Sequence, residues 1–340
     1  MKKGIYGVII ISLLALFVTT VFISNSDNTV TIYTAHYEDQ IEEYLTDFNK
    51  KYPDIKVNIV RDGSGVVAAK LLMEKDNPRA DIVWGLPGSN ALILDRFNAF
   101  APYDSPMRSN IEPRFYDQVN SVPTWVGTSA WMTVLTVNTK ELEARGLPMP
   151  KSYQDLLNPI YKGQIVMPNP SSSGTGYLVV NTLVQLYGEE KAWEYMDNID
   201  KNIKEYSHSG SGPTRMVERG EALIGIGMDF TSFKSEKDNS YIKTIIPEEG
   251  CGWDVEIVAL ANKPKVKEAA KIFYDWAISE EALRMHGKNR SLISIKDFKY
   301  DLNPDAPAGM DEKMIDNDLN WASENQNRLT KEWEKRYGVE

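Results

Sequence analysis

Apolar and polar positions along this chain switch between two periods, and the switches mark its elements. Val30–Ala35 (VTIYTA) is a short apolar run of strand formers and predicts a buried strand. From Glu38 to Tyr52 the apolar residues Ile41, Tyr44, Leu45, Phe48 and Tyr52 recur at helical spacing, and Pro53 stops the helix. Ile55–Val60 alternates like a strand, Asp62-Gly63-Ser64-Gly65 reads as a turn, Val66–Lys75 as a second helix and Asp81–Trp84 as a third strand. Strand–helix–strand–helix–strand predicts the α/β class, with a parallel sheet covered by helices on both faces. Ligands of such sheets bind beyond the carboxyl ends of the strands. The residues there are His36 and Tyr37, then Asp62 to Gly65, then Trp84 and Gly85.

A second set of elements follows. Strands are predicted over Trp131–Asn138, Gly163–Met167, Ile203–Tyr206, Ala222–Met228 and Asp254–Leu260. Helices are predicted over Thr175–Tyr187, Glu189–Asp200, Lys267–Ile278 and Glu281–His286, with a helical tail from Met310 to Tyr337. The simplest arrangement is two lobes: residues 29–130 with 261–340, and residues 138–252. Strands 131–137 and 253–260 would cross between them and act as a hinge between two walls of one cleft. The helices after Leu260 have no strands of their own and are expected to complete lobe one.

The loop Met167–Tyr177 (MPNPSSSGTGY) carries the strongest chemical signal. Pro168 and Pro170 break the preceding strand. Ser171, Ser172, Ser173 and Thr175 then supply hydroxyls and backbone N–H groups where a helix begins. Free N–H groups at a helix start carry partial positive charge and bind anions. One hydroxyl is enough for an ordinary helix cap, whereas several hydroxyls with glycines suit a tetrahedral oxyanion such as phosphate or phosphonate.

Charge and composition narrow the function. The formal net charge is −10, and no basic run offers a nucleic acid a footing. Lys2 and Lys3 precede an uncharged stretch from Gly4 to Ser24, which predicts residues 1–26 to be a signal peptide or an N-terminal anchor and the rest to be periplasmic or extracytoplasmic. The single cysteine, Cys251, excludes an intrachain disulfide framework. No HExxH, GxSxG or GxxxxGK[ST] motif is present, and His36, His208 and His286 show no metal-ligand spacing. Neither an enzyme nor a cofactor or metal is expected. Ser172, His208 and Asp229 can be imagined as a hydrolytic triad, but triads are defined by geometry that spacing does not test.

The whole chain after the leader resembles the solute-binding proteins of bacterial ABC importers, in the two-lobed (type II) periplasmic-binding-protein class that also holds ferric-ion binders. The segments that carry the resemblance are YTAHYEDQIEEYLTDFNKKYPDIKV (33–57), NPRADIVWG (77–85), YKGQIVMPNPSSSGTGY (161–177), GEALIGIG (220–227) and VKEAAKIFYDWAISEEA (266–282). Within that class it is similar to the subgroup assigned to 2-aminoethylphosphonate uptake. The resemblance implies a ligand clamped between lobes, an importer permease as partner and a monomer. Ferric binders of the class present two adjacent tyrosines in lobe two; here the corresponding segment reads GMDFTSF (227–233), which disfavours ferric iron. Aminoethylphosphonate needs donors at its anionic pole and carboxylates or aromatic faces at its ammonium. Ser171–Thr175, Ser64, Ser209 and Ser211 are the expected donors. Asp229 is the expected ammonium partner, with Tyr37 and Trp84 as aromatic walls. Asp254 and Glu256 suit either the ammonium or salt bridging in the hinge strands. Phosphate esters, polyamines and ferric ion are the alternative solutes, and a secreted phosphonate or phosphate hydrolase the alternative activity.

Overall fold

The computed structural model describes residues 27–296 and 305–338, so the expected leader lies outside the described residues. The first α/β unit is β1 (Thr29–Thr34), α1 (Glu38–Lys51), β2 (Lys56–Arg61), α2 (Ser64–Met73), β3 (Ile82–Pro87), α3 (Gly88–Asp95) and the two-residue β4 (Phe100–Ala101). Helix α1 buries Ile41, Tyr44 and Phe48 along one face, opens with Glu38 and Asp39 and closes with Lys50 and Lys51, each charge facing the favourable end of the helix dipole.

The strand β5 (Trp125–Asn138) is fourteen residues long and buried throughout. The second unit is α4 (Thr139–Ala144), β6 (Ile165–Pro168), α5 (Gly174–Tyr187), α6 (Glu189–Ile199), β7 (Ile203–Ser207), α7 (Gly212–Glu218), β8 (Ile224–Met228), α8 (Asp229–Asp238) and β9 (Ile242–Ile245). The chain returns along β10 (Trp253–Ala261) and ends with α9 (Glu268–Ala277), α10 (Glu280–His286), β11 (Leu292–Ile293) and α11 (Leu319–Tyr337).

Strand order is β2-β1-β3-β10-β5-β8-β6-β7, parallel through β2-β1-β3 and antiparallel where β10 joins. The first half of β5 pairs with β10; its second half leaves β10 and pairs with β8 and β9. One strand therefore belongs to both sheets. It starts six residues before the expected Trp131, because Trp125–Ala130 is buried on both faces and its small polar residues hide the alternation.

Two hydrophobic cores flank this shared strand. The first gathers β1, β3, β10, α9 and α10 around Trp84, Phe273 and Trp276. The second gathers β6, β8, α5 and α6 around Tyr153, Tyr177 and Trp193. The tail departs from expectation: Ala322, Leu329 and Trp333 of α11 lie in the second core, and α11 also packs on α3 of the first. Arg96 of α3 donates to Ser323 and pairs with Glu324, and Tyr177 of α5 donates to the Ala322 carbonyl. The helix is thus shared between lobes, since its apolar stripe matches the gap beside α5 while its polar face meets α3.

Candidate functional site

Strand ends from both units meet around a cavity of about 140 Å³. The first unit contributes Tyr37 after β1, Arg61 to Ser64 after β2, and Gly85 and Pro87 of β3. The second contributes Ser172 to Thr175 after β6, His208 to Gly210 after β7, and Met228 of β8. Trp131 of β5 and Glu256 of β10 complete the lining from the shared strands. A wider space of about 550 Å³ lies beyond Tyr37 and Ser211, lined among others by Arg215, Phe230, Lys234 and Lys288.

Two helix starts face each other across the inner cavity. Gly63, which has no side chain to cap with, precedes α2, and Ser173 precedes α5 without its hydroxyl capping the helix. The first-turn N–H groups of both helices have no acceptor within their own helix. Ser64 of α2 links the two, its Oγ accepting from the Gly174 N–H of α5 at 3.1 Å, which leaves the Ser64 hydroxyl hydrogen free to donate. Backbone packing is equally close: a Cβ on Gly63 would sit 3.2 Å from the Ser172 carbonyl oxygen. Gly210 has no substitute for steric reasons, because a Cβ there would lie 2.1 Å from Thr175 Oγ1.

A third helix start shows the alternative. Asp254 of β10 places its carboxylate against α3, accepting from Ser89 Oγ at 2.7 Å and from the Ser89 N–H at 3.4 Å. Burial pushes this carboxyl up to about 6, against those hydrogen bonds. Here a buried carboxylate sits against the helix start; at α2 the exposed Asp62 carboxylate accepts from the Gly63 N–H at 2.7 Å, and at α5 there is none among the described residues.

Of the residues expected at the site, Tyr37, Ser64, Ser172, Ser173, Thr175 and Ser209 line the inner cavity. Ser172 spends its hydroxyl hydrogen on the His208 carbonyl at 2.9 Å, and Ser209 Oγ accepts from Arg215 at 3.3 Å. Other expected residues are elsewhere. Ser171 is exposed and outside the lining, and Ser211 lines only the wider space. Trp84 is 0% exposed and packs against His36, Phe273 and Trp276; Gly85 takes its place at the cavity wall. Asp229 is also 0% exposed: its carboxylate accepts from the Met132 N–H at 3.2 Å and from Ser291 Oγ at 2.6 Å. It opens α8 with its side chain turned from the cavity, so the preceding Met228 lines the wall, and Tyr37 Oη contacts its sulfur at 3.3 Å. The carboxylate on the cavity rim is Asp62. Asp62 was among the strand-end residues expected at a ligand site; Arg61 was missed because it ends an alternating strand as an exposed residue, with only the adjoining Asp-Gly turn as a signal.

Under the cavity floor lies a buried charged network. Arg290 grips Glu256 with Nε at 2.9 Å and Nη2 at 2.6 Å, Ser129 Oγ adds a bond at 2.7 Å, and Gln40 accepts from Nη2 at 3.1 Å. The guanidinium also lies 3.9 Å over the Phe230 ring. Together these hold the Glu256 carboxyl down at about 2, although burial opposes them. His36, Glu256 and His286 bring their ligand atoms within 4.8 Å of one another. They make a poor cation site nonetheless: the carboxylate already neutralises Arg290, and a metal would add charge beside that guanidinium.

Both imidazoles stay neutral. Burial drives His36 down to about 4 and His286 well below its ordinary value, and among the described residues neither ring nitrogen of either has a hydrogen-bond partner. His286 stacks on Tyr44 at 4.1 Å. Below about pH 6.5 the unfolded chain takes up a proton at residue 286 that the folded chain refuses, so stability falls with pH. His286→Phe keeps the stacked ring and removes that proton. The variant should match or exceed the parent at pH 7, and its advantage should grow by up to about 1.4 kcal/mol per unit as pH falls toward 4. Denaturant titrations across that range decide it, and parallel pH curves would count against buried neutral His286.

Comparison with known proteins agrees with this architecture. Residues 94–323 match the family described as bacterial extracellular solute-binding protein. An uncharacterised protein of Haemophilus influenzae is 30% identical over 275 residues, 80% of this chain and 79% of that one. A Salmonella paratyphi A protein named "Putative 2-aminoethylphosphonate-binding periplasmic protein" is 23% identical over 287 residues, 80% of each chain. The periplasmic binding protein AfuA of Actinobacillus pleuropneumoniae, solved with exogenous fructose-6-phosphate bound, superposes with a TM-score of 0.85 at 28% identity over 92% of this chain and 99% of that one. The family and the structural neighbour are solute-binding proteins, not enzymes, and among the described residues no helix is long and apolar enough to cross a membrane. A cavity between two α/β lobes, with strand ends and helix starts from each, is what such a protein uses, and this chain belongs to the family of bacterial extracellular solute-binding proteins of ABC importers.

Proposed function

We propose that this chain captures a small organophosphoryl solute, a phosphonate or phosphate monoester, in the inner cavity and delivers it to an importer permease. The observation that carries this reading is the meeting of two uncapped helix starts, α2 and α5, on one cavity lined by Ser64, Ser173 and Thr175. Opposed N–H groups and hydroxyls suit a tetrahedral oxyanion. We assign one lobe to each helix start, with β5 and β10 as the hinge, so that closure assembles the site.

Within the class, 2-aminoethylphosphonate suits the cavity of about 140 Å³, with Asp62 on the rim taking the ammonium role that Asp229 is too buried to fill. A hexose phosphate is the second reading. The likeness to AfuA favours it, and the wider space beyond Tyr37 would hold the sugar.

Calorimetry on the protein lacking residues 1–26 tests this against 2-aminoethylphosphonate, ethylphosphonate, fructose 6-phosphate, spermidine and ferric citrate. Organophosphoryl compounds should bind, and Ser64→Ala and Thr175→Val should each weaken them about ten- to hundredfold, the worth of one hydrogen bond to a charged group. Preference for spermidine or ferric ion, or unchanged affinity in both variants, would overturn the proposal.

A further inference from the structure

We propose that Arg61 makes the inner cavity selective for a doubly ionised tetrahedral group, so that the protein rejects a sulfonate of the same shape. The inference rests on the organophosphoryl reading and adds a charge requirement to it.

The charges facing the cavity are few. Arg61 is the one lysine or arginine among its lining residues. It ends β2, donates from Nε to the His36 carbonyl at 3.1 Å and lies 5.8 Å from the Tyr37 ring centre. These contacts fix the guanidinium plane and involve no carboxylate, so its terminal nitrogens are left for a bidentate grip on two oxygens of one anion. Of the two lining carboxylates, Glu256 is neutralised from below by Arg290 at 2.6 Å. Asp62 is exposed on the rim and accepts from the Gly63 N–H at 2.7 Å.

Each helix start is worth roughly half a positive charge, so α2, α5 and Arg61 together present about two. A phosphonate or phosphate dianion matches that count; a sulfonate, fixed at one negative charge, leaves the guanidinium half-used. The remaining groups that face the anion are Tyr37 after β1, His208 after β7 and, behind Ser209, Arg215 of α7. The dianion requirement makes phosphoryl binding depend on pH, because the second ionisation of a phosphoryl group lies near pH 6 and the dianion fraction falls about tenfold per unit below it. A sulfonate keeps one charge across this range and serves as the control.

Calorimetry between pH 5.5 and 8 tests this with two matched pairs: 2-aminoethylphosphonate against 2-aminoethanesulfonate, and fructose 6-phosphate against fructose 6-sulfate. For whichever phosphoryl compound binds, its sulfur partner should be about a hundredfold weaker at pH 8. Phosphoryl affinity should rise with pH while sulfonate or sulfate affinity does not. Arg61→Gln should weaken the phosphoryl compound roughly ten- to hundredfold and shrink the discrimination by about tenfold, whereas Arg61→Lys should keep part of it. Phosphoryl binding with equal sulfonate or sulfate binding, or equal losses of both in Arg61→Gln, overturns the role of Arg61 alone. No binding of either phosphoryl compound overturns the organophosphoryl reading and this inference with it.

Discussion

Replacing Arg290 by methionine should destabilise the fold by about 3–5 kcal/mol, because it strands the Glu256 carboxylate in the interior without its cation. The pair is buried, with Arg290 1% and Glu256 6% exposed, and the carboxylate would keep only Ser129 Oγ as a hydrogen-bond partner among the described residues. The double variant Glu256→Gln with Arg290→Met removes the charge as well as its partner, and should recover a substantial part of the loss. The coupling between the two substitutions is the informative quantity. Denaturant unfolding of the four proteins measures it at pH 7. If the double variant is as unstable as Arg290→Met alone, the cost comes from lost packing over Phe230 and not from an orphaned charge.

Trp333→Ala should cost a similar amount, about 3–5 kcal/mol, the usual penalty for emptying a large buried aromatic site. Trp333 is 1% exposed and meets Tyr206 edge-on at 4.8 Å and Tyr337 at 5.9 Å. The substitution lies far along the chain from the second unit, so its effect tests whether α11 is part of that unit's core. Guanidinium unfolding followed by near-ultraviolet dichroism is the measurement. A loss under about 1 kcal/mol would mean the helix is laid on the surface and not built in.

The parts of this molecule that were legible in its sequence are those where period alone decides. The helical spacing from Ile41 to Phe48 buries one face, the alternation at Ile55–Val60 leaves Val57 and Ile59 half-buried between exposed neighbours, and each element is where its pattern puts it. The helix start after the Ser/Thr loop was legible because prolines break the strand before it and α5 opens at Gly174. What period could not show is which side of a strand end faces the cavity. Trp84 and Asp229 each sit one step from a lining residue, Gly85 and Met228, and one step turns a side chain from wall to core. Gly85 shows why the wall needs a glycine: its φ is +73°, and a Cβ would come within 2.4 Å of the His36 ring. Arg290 carried no local signal at all, since its partners Glu256 and Gln40 lie 34 and 250 residues away in the chain. The placement of α11 was missed for the same reason: an amphipathic stripe states that a helix must be covered, not by which lobe.

The sharing of α11 has a bearing on biosynthesis. The second unit spans residues 139–245, yet its core closes only with Ala322, Leu329 and Trp333, and the first unit's core needs α9 and α10. Neither half of a growing chain can therefore finish its interior while it is being made. The turns of α11 are the ones that seal the second core. A chain cut short at residue 318 would hold every strand described here and still lack that seal. Completion of the second core is thereby postponed until α11 has been synthesised.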